Sequence, residues 1–258
     1  MFKDLKEAIV RYRLAIELAK TELLKSYTRT LLGPIWETIS LGILMFLMAF
    51  IWSKLIKTEG NYVIYLVTGM IVFRYISQIL NASTWMFIER ADIVKCFNIP
   101  YSSYALAKVI YSVFIFFHHL PLIIIFSIFY DNNFLNKNLL YLIYSIPIIL
   151  ITSYSVSILV GMLTARFRDV MSLINTITSV MIFFTPILWS PDQLDSRTQL
   201  FVVDPNFFYH FIEIFRQPFL GNAPSTFSIY YTLIFAISIF LVASLMIRKF
   251  QYRLKYWV

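Results

Sequence analysis

Residues 109–130 read VIYSVFIFFHHLPLIIIFSIFY, a run of 22 positions without an Asp, Glu, Lys or Arg. A helix needs about 20 predominantly apolar residues to cross the hydrocarbon core of a bilayer. Five further apolar runs occur along the chain, two of them interrupted by one charged residue. We therefore predict an all-α polytopic membrane protein with six transmembrane helices. The predicted spans are 33–53, 62–82, 109–130, 139–164, 170–190 and 227–247.

The overall composition agrees with this prediction. The 258 residues are 59% hydrophobic and only 14% charged, and the mean hydropathy is +0.73. A soluble domain carries roughly 25% charged residues, so most of this surface must face lipid. The formal net charge is +8, but the basic residues lie between apolar runs and not in one patch. We therefore expect no nucleic-acid partner. The single cysteine, Cys96, excludes an intrachain disulfide.

The distribution of Lys and Arg predicts the orientation of the spans. With the N-terminus inside, the inside segments hold 16 of the 22 basic residues and the outside segments hold 5, while Arg74 lies within a span. Cytoplasmic loops carry an excess of Lys and Arg. We therefore predict that both termini are cytoplasmic, that residues 31–250 form the transmembrane domain, and that residues 251–258 form a cytoplasmic tail.

Residues 1–30 precede the first predicted span and carry one apolar stripe. Apolar residues recur there at steps of three and four, which predicts an amphipathic helix. The stripe consists of Leu5, Ile9, Tyr12, Ile16, Ala19 and Leu23. We predict that this helix lies in the inner membrane interface. Packing on another cytosolic protein is the open alternative, and the two roles are compatible.

Residues 190–226 form a long loop on the predicted outer side. The stretch 207–215 within it is apolar and aromatic but too short to span a bilayer. We therefore predict short re-entrant helices in the outer leaflet before the last span.

Motifs for catalysis and for nucleotide binding are missing from the sequence. It contains no GxxxxGK[ST] loop, no HExxH, no CxxC and no GxSxG. We expect no enzymatic activity, no metal site and no cofactor in this chain, and any ATP must be bound by another chain. The adjacent His118 and His119 point about 100° apart on a helix and cannot chelate one ion together. Hydrogen bonding between helices is favoured for them over metal binding or proton relay.

Two charged residues fall inside predicted spans, Glu37 in the first and Arg74 in the second. An ionisable residue within the membrane is a functional candidate by default. The alternative for both is structural: Glu37 is near enough to the inner end to reach the headgroups, and Arg74 can snorkel towards the cytoplasm.

Residues 21–52 read TELLKSYTRTLLGPIWETISLGILMFLMAFIW, a basic-aromatic stretch followed by Leu-Gly-Pro-Ile-Trp and the first apolar run. This arrangement resembles the ABC-2 type permease subunits of exporters for polysaccharides and polyol phosphates. Residues 87–105, 167–169 (Phe-Arg-Asp) and 185–191 (TPILWSP) resemble later elements of that family in the same order. The family's Asn-Pro in the outer loop is reversed here to Pro205-Asn206. The nearest likeness is to permeases of the O-antigen and capsule type.

This resemblance implies that two copies of the chain pair with two separate ATP-binding subunits, which hold ATP and Mg, in the bacterial inner membrane. A lipid-linked polysaccharide would enter from the inner leaflet through a gate that includes the lipid pyrophosphate site. Basic residues at headgroup level attract phosphate in any membrane protein, and ordinary membrane anchoring is the alternative. The implied gate residues are Lys25, Tyr27, Arg29, Leu32, Gly33 and Pro34.

The resemblance also implies that the loop 87–98 is a coupling helix that docks on the ATP-binding subunit. Its charges are balanced, which suits a protein contact; they are Glu89, Arg90, Asp92 and Lys95. Export of teichoic acid, or of a small lipophile or drug, is the alternative within the family. A membrane glycosyltransferase or phosphatase would need clustered acids or His at one membrane face, and an ion-coupled transporter would need several intramembrane charges. The sequence supports neither well.

Overall fold

A computed structural model describes residues 2–28, 30–55, 62–130 and 136–258. Within these ranges the chain is helical and contains no β-strand. The α-helices are α1 (Phe2–Val10), α2 (Tyr12–Tyr27), α3 (Ile35–Leu55), α4 (Tyr62–Thr84), α5 (Ala91–Cys96), α6 (Tyr101–Tyr130), α7 (Leu142–Arg166), α8 (Val170–Phe184), α9 (Ser196–Val202), α10 (Phe207–Phe219), α11 (Thr226–Phe250) and α12 (Leu254–Trp257). Short 3₁₀ turns at Lys137–Tyr141 and Pro191–Gln193 precede α7 and α9.

Among the described helices, five are long and apolar enough to cross a membrane: α3, α4, α6, α7 and α11. The predicted all-α membrane architecture is thus confirmed. The remaining predicted span, 170–190, is the 15-residue helix α8. At 1.5 Å per residue α8 is roughly 22 Å long, which is less than the hydrocarbon thickness of about 30 Å. Pro186 explains the early end, because a residue before proline is disfavoured in helical conformation, and Thr185 is extended.

Helix α4 forms the centre of the bundle and packs against α3, α6, α7, α8 and α10. Its span is 78% buried, whereas the spans of α3 and α11 are only 17% buried. The exposed faces of α3 and α11 are apolar, as is required of helices that face lipid. The polar residues of α4 are therefore enclosed by other helices. The packing of those helices determines which polar residues of α4 line a cavity.

The predicted single helix over 1–30 is two helices, because the chain turns at Arg11 (φ −96°, ψ 34°) between α1 and α2. Helix α2 packs on α6 and buries Ala15 and Ala19, whose small side chains permit a close approach. The predicted apolar stripe is divided: Ala19 is buried against α6, whereas Ile9, Tyr12 and Ile16 are exposed. The exposed part of the stripe is therefore available to lipid or to another protein.

Helix α1 is attached to the beginning of α6 through Asp4. Its two carboxylate oxygens accept hydrogen bonds from the backbone N–H groups of Tyr101 (3.1 Å) and Ser102 (2.8 Å). A helix N-terminus has unpaired N–H groups and favours a negative charge. This contact holds the N-terminal segment against the first loop of the bundle.

Helix α10, in the predicted outer loop, is packed into the bundle. It begins at Asn206, whose side chain accepts from the backbone N–H of Tyr209, and it buries Phe208, Phe211 and Ile212 in the same core as α4. The short helices expected before the last span are therefore present as α9 and α10. Their insertion into the outer leaflet stays a prediction.

Candidate functional site

A cavity of about 610 Å³ lies between α2, α3, α4, α6 and the turn that follows α4. Its lining residues include one predicted gate residue (Lys25), the two predicted intramembrane charges (Glu37 and Arg74) and one residue of the first cytoplasmic loop (Glu89). Most of its lining side chains are polar. The lining residues are Glu22, Lys25, Ser26, Glu37, Arg74, Ser77, Gln78, Asn81, Ala82, Trp85, Glu89, Lys108 and Tyr111.

An ion-pair network forms one wall of the cavity around Glu22 of α2. One carboxylate oxygen of Glu22 accepts from Lys108 Nζ at 2.5 Å, and the other accepts from Arg90 Nη2 at 3.2 Å. Lys108 also lies 3.7 Å from Glu89, and Arg90 donates to the carbonyl of Leu18 at 2.7 Å. The four charges balance, so this wall carries no net charge. The network connects α2, the first loop and α6.

Lys108 is the most buried member of the network, with a side chain only 3% exposed. A buried ammonium needs an acidic partner, since loss of water around a charge costs several kcal/mol. Sequence reasoning gave neither Glu22 nor Lys108 a role. The available signal was an acid in the helix before the first span and a lysine at the beginning of an apolar run.

Two other cations that line the cavity are not neutralised in this way. Lys25 lies in the last turn of α2, and Arg74 lies on α4; neither forms an ion pair with a described residue. Glu37, in the first turn of α3, also lines the cavity. Burial and the neighbouring Glu37 carboxylate raise the pKa of the Tyr27 hydroxyl. A tyrosine hydroxyl is protonated at neutral pH even at its ordinary pKa, and this shift moves it further from ionisation, so Tyr27 can donate a hydrogen bond.

The connection from α2 to α3 contains the other predicted gate residues. Gly33 has φ +55°, a left-handed conformation that suits glycine, and Pro34 immediately precedes the first residue of α3. Leu32 is exposed, and Leu32, Gly33 and Pro34 are not among the cavity's lining residues. Arg29 lies outside the described residues. The structure therefore brings Lys25 and Glu37 to the cavity and places the Leu-Gly-Pro turn beside it.

The predicted coupling segment 87–98 consists of a turn followed by the six-residue helix α5. Its four charges are divided between two environments. Glu89 and Arg90 both join the ion-pair network, but only Arg90 is largely enclosed, since the Glu89 side chain is 51% exposed; Asp92 and Lys95 are also exposed. Phe97 is 61% exposed at the end of α5. Glu89, Asp92, Lys95 and Phe97 are therefore available to another protein, and the docking role of the segment stays a prediction.

The two adjacent histidines behave differently. His119 Nδ1 lies 3.2 Å from Thr38 Oγ1, and the Thr38 hydroxyl also donates to the carbonyl of His118. These two hydrogen bonds connect α6 to α3. The ring of His118 bonds the carbonyl of Phe114 in its own helix. Of the described residues, no group of three or more His, Cys, Asp or Glu is arranged to hold a metal ion.

A second buried polar cluster lies on the predicted outer side and was missed by sequence reasoning. Arg216 of α10 is 1% exposed, donates to Glu213 (2.8 Å) and to the carbonyl of Pro186 (2.9 Å), and stacks 3.7 Å from the ring centre of Tyr65. The Tyr65 hydroxyl donates to the carbonyls of Pro186 and Trp189. The available signal was the opposite charges three residues apart in an aromatic helix. This cluster holds α10 and the segment after α8 against α4.

A bundle of membrane-length helices around a polar cavity, with a charged loop at the same end, has the organisation of a membrane permease. The chain belongs to the ABC-2 type transporter family, whose profile matches residues 14–220. Two relatives, both named O-antigen export system permease protein RfbA from Klebsiella pneumoniae, are 24% and 25% identical to it over 191 residues. Each alignment covers 72% of this chain and 72% of the relative.

Family membership makes this chain the membrane subunit of a transporter and not a catalytic enzyme. It is an integral protein of the inner membrane. Membership also implies an ABC transporter in which a partner binds ATP.

Proposed function

We propose that this chain is the transmembrane permease half of an ATP-driven exporter that moves a lipid-linked polysaccharide, of O-antigen or capsule type, from the cytoplasm across the inner membrane. Two copies work with two ATP-binding subunits, which hold the ATP and Mg. The observation that carries the proposal is the cavity, because it is lined jointly by the gate helix α2, the intramembrane charges and the first loop. The names of the two relatives support the substrate class.

In this proposal the lipid-linked phosphate enters the cavity at Lys25 and Arg74. The other two basic groups of this region, Arg90 and Lys108, are bound to Glu22, so Lys25 and Arg74 supply the available positive charge. Hydrogen bonds from cations to phosphate are charge-assisted and roughly twice as strong as neutral ones. The Tyr27 hydroxyl, two residues after Lys25 at the end of α2, is protonated at neutral pH and adds a neutral donor to the gate.

The pairing of two copies is supported by the exposed face of α8. Four polar side chains lie there at positions i, i+3, i+4 and i+7, and all are exposed in the single chain: Ser172, Asn175, Thr176 and Ser179. Polar groups on a membrane helix face protein or water and not lipid. This face fits a second copy or a water-filled path between two copies, with α8 and the segment after it completing the sixth crossing. Both termini are then cytoplasmic.

The first loop transmits the movement of the ATP-binding subunit. Asp92, Lys95 and Phe97 dock on that subunit, and Arg90 passes the displacement to Glu22 of the gate helix through their ion pair. A rigid connection of this kind suits a gate that opens in step with ATP binding, because α2 and the loop share one buried network.

Replacing Lys25 and Arg74 together by Gln is expected to lower export at least tenfold. Each cation contributes a charge-assisted bond to phosphate worth about 1.5–3 kcal/mol, and 1.4 kcal/mol is a factor of ten in affinity. Export is measured as surface glycan in cells that lack the native gene, with membrane abundance determined by immunoblotting.

The matched control is the double variant Arg13→Gln and Lys20→Gln, which removes two exposed charges of the same helix α2 outside the cavity. Its export should equal that of the wild type. Unchanged export in the cavity variant, at equal abundance, removes the phosphate role from both residues.

A further inference from the structure

We propose that one face of α4 is a binding site for neutral sugar, which recognises the saccharide next to the lipid phosphate. The site consists of Gln78 and Asn81 of α4 and of Trp85 in the turn that follows it, and is called here the α4 sugar face. This inference rests on the proposed function and adds to it a site that selects the carbohydrate part of the substrate.

The spacing of Arg74, Gln78 and Asn81, at steps of four and three, places them on one side of α4, and Trp85 follows in the turn directly after the helix ends at Thr84. All four line the cavity. At 1.5 Å per residue the three helical positions extend over roughly 10 Å along the axis of α4. The cavity thus has a cationic end at Arg74 and an uncharged series of side chains leading away from it.

The hydrogen-bonding state of this wall indicates a ligand with hydroxyl groups. The carbonyl oxygen Oδ1 of Asn81 and the hydroxyl of the neighbouring Ser77 are buried, and within the described structure neither has a hydrogen-bond partner. A buried polar atom without a partner costs about 1–3 kcal/mol. The amide nitrogen of Asn81 lies 3.5 Å from Thr178 Oγ1 of α8. This contact fixes the orientation of the Asn81 amide group. Asn and Gln each offer donors and an acceptor, and a sugar hydroxyl can satisfy both.

Trp85 supplies the apolar part of the site. The residue is 48% exposed, and it lies in the turn directly after α4, a helix that is mostly buried. The face of an indole ring is electron-rich and the C–H groups of a pyranose ring carry partial positive charge, so the two stack favourably. A half-exposed indole beside two amides is suited to sugar, whereas a second phosphate would need a further cation there.

The charges around the α4 sugar face are consistent with a neutral ligand. Glu22, Glu89 and Lys108 line the same cavity but are engaged in the ion-pair network. Glu37 and Lys25 lie with Arg74 in the lining contributed by α2, α3 and α4. In this proposal the phosphate lies at Arg74 and the sugar lies along Gln78, Asn81 and Trp85, which follow Arg74 in the cavity lining.

The test uses the full chain, purified with its ATP-binding partner in lipid nanodiscs, and two kinds of probe. One probe is farnesyl diphosphate, and the others are farnesyl diphosphates that carry one glucose, galactose or N-acetylglucosamine residue. At least one sugar probe should bind more tightly than the bare diphosphate. Trp85→Leu and Asn81→Leu should each weaken that probe roughly five- to tenfold, as expected for the loss of one or two neutral contacts.

The bare diphosphate serves as the internal control for folding, because its affinity should be the same in both variants and in the wild type. Tyr230→Leu, which removes an exposed aromatic residue of α11 outside the cavity, should leave both affinities unchanged. The inference is overturned if no sugar probe exceeds the bare diphosphate, or if the two variants weaken both kinds of probe equally. If the wild type binds neither kind of probe, the proposed function fails together with the inference.

Discussion

Replacing Glu22 by Ala is expected to destabilise the folded protein by about 3 kcal/mol. The substitution leaves Lys108, which is 3% exposed, and Arg90 without their shared acid. Breaking a buried ion pair by removing one partner costs roughly 3–5 kcal/mol. The lower end of this range applies here because the polar cavity on one side of the network admits water.

A loss of this size corresponds to a fall in melting temperature of roughly 6–12 °C for a protein of this length. The melting temperature is measured on the purified chain in detergent. Glu22→Gln keeps a hydrogen-bond acceptor for Lys108 and removes only the charge, so its melting temperature should lie between those of Glu22→Ala and the wild type.

Glu17→Ala is the matched control for this prediction. Glu17 is an exposed acid on the same helix, and exposed substitutions change stability by no more than about 0.5 kcal/mol. If Glu22→Ala and Glu17→Ala melt at the same temperature, the network does not hold α2 to α6 and to the first loop. The transmission route proposed through Arg90 would then lose its physical basis.

Replacing Arg216 by Ala should destabilise the protein more strongly, by about 4–5 kcal/mol. The guanidinium group is fully enclosed, so the Glu213 carboxylate would be left buried with Gln217 as its remaining partner. The carbonyl of Pro186 would lose a donor, and the ring of Tyr65 would lose a cation at 3.7 Å. Because the pair is buried, added salt should not reduce the effect.

Two further variants separate geometry from charge in this cluster. Arg216→Lys keeps the charge but lacks the planar fork that donates to Glu213 and Pro186 at once, so it should recover only part of the stability. The double variant Glu213→Leu and Arg216→Met removes both charges and should be less destabilising than Arg216→Ala alone. Melting temperatures of the purified chains provide the comparison.

Arg197→Ala serves as the control, since Arg197 is an exposed basic residue of the same outer region. Equal melting temperatures for Arg216→Ala and Arg197→Ala would contradict the assignment of Arg216 as the residue that holds α10 in the bundle. An additive result in the double variant would show that Glu213 and Arg216 do not act as a pair.

The spans were the most predictable feature of this chain. An uncharged run such as 109–130 is long enough to cross the bilayer. In lipid a single segment can pair all its backbone hydrogen-bonding groups only as a helix, so the run predicts a membrane helix. The end of α8 was less predictable. The absence of charge up to Ser190 extended the predicted span, whereas the local effect of Pro186 ended the helix at Phe184. The turn at Arg11 between α1 and α2 could not be predicted, because the apolar periodicity continues through it.

The candidate site was predictable only in part. Glu37 and Arg74 were identified because charge within a span is costly and therefore conspicuous, and Lys25 was identified through the family resemblance. Glu22 and Lys108 were not identified because they lie 86 positions apart in the sequence. Their pairing depends on how α2 packs on α6. Arg216 was placed in a loop on the outer side because charge usually indicates exposure, and its burial results from the packing of α10 on α4.

The central claim is that this chain moves a lipid-linked polysaccharide across the inner membrane. In the most direct measurement, the gene for the chain is deleted in the organism that encodes it. The amounts of surface glycan and of lipid-linked glycan in the inner leaflet are then determined. The proposal predicts that surface glycan disappears, that lipid-linked glycan accumulates on the cytoplasmic side, and that the wild-type chain restores export. Normal surface glycan in the deletion strain, with no accumulation inside, would contradict it.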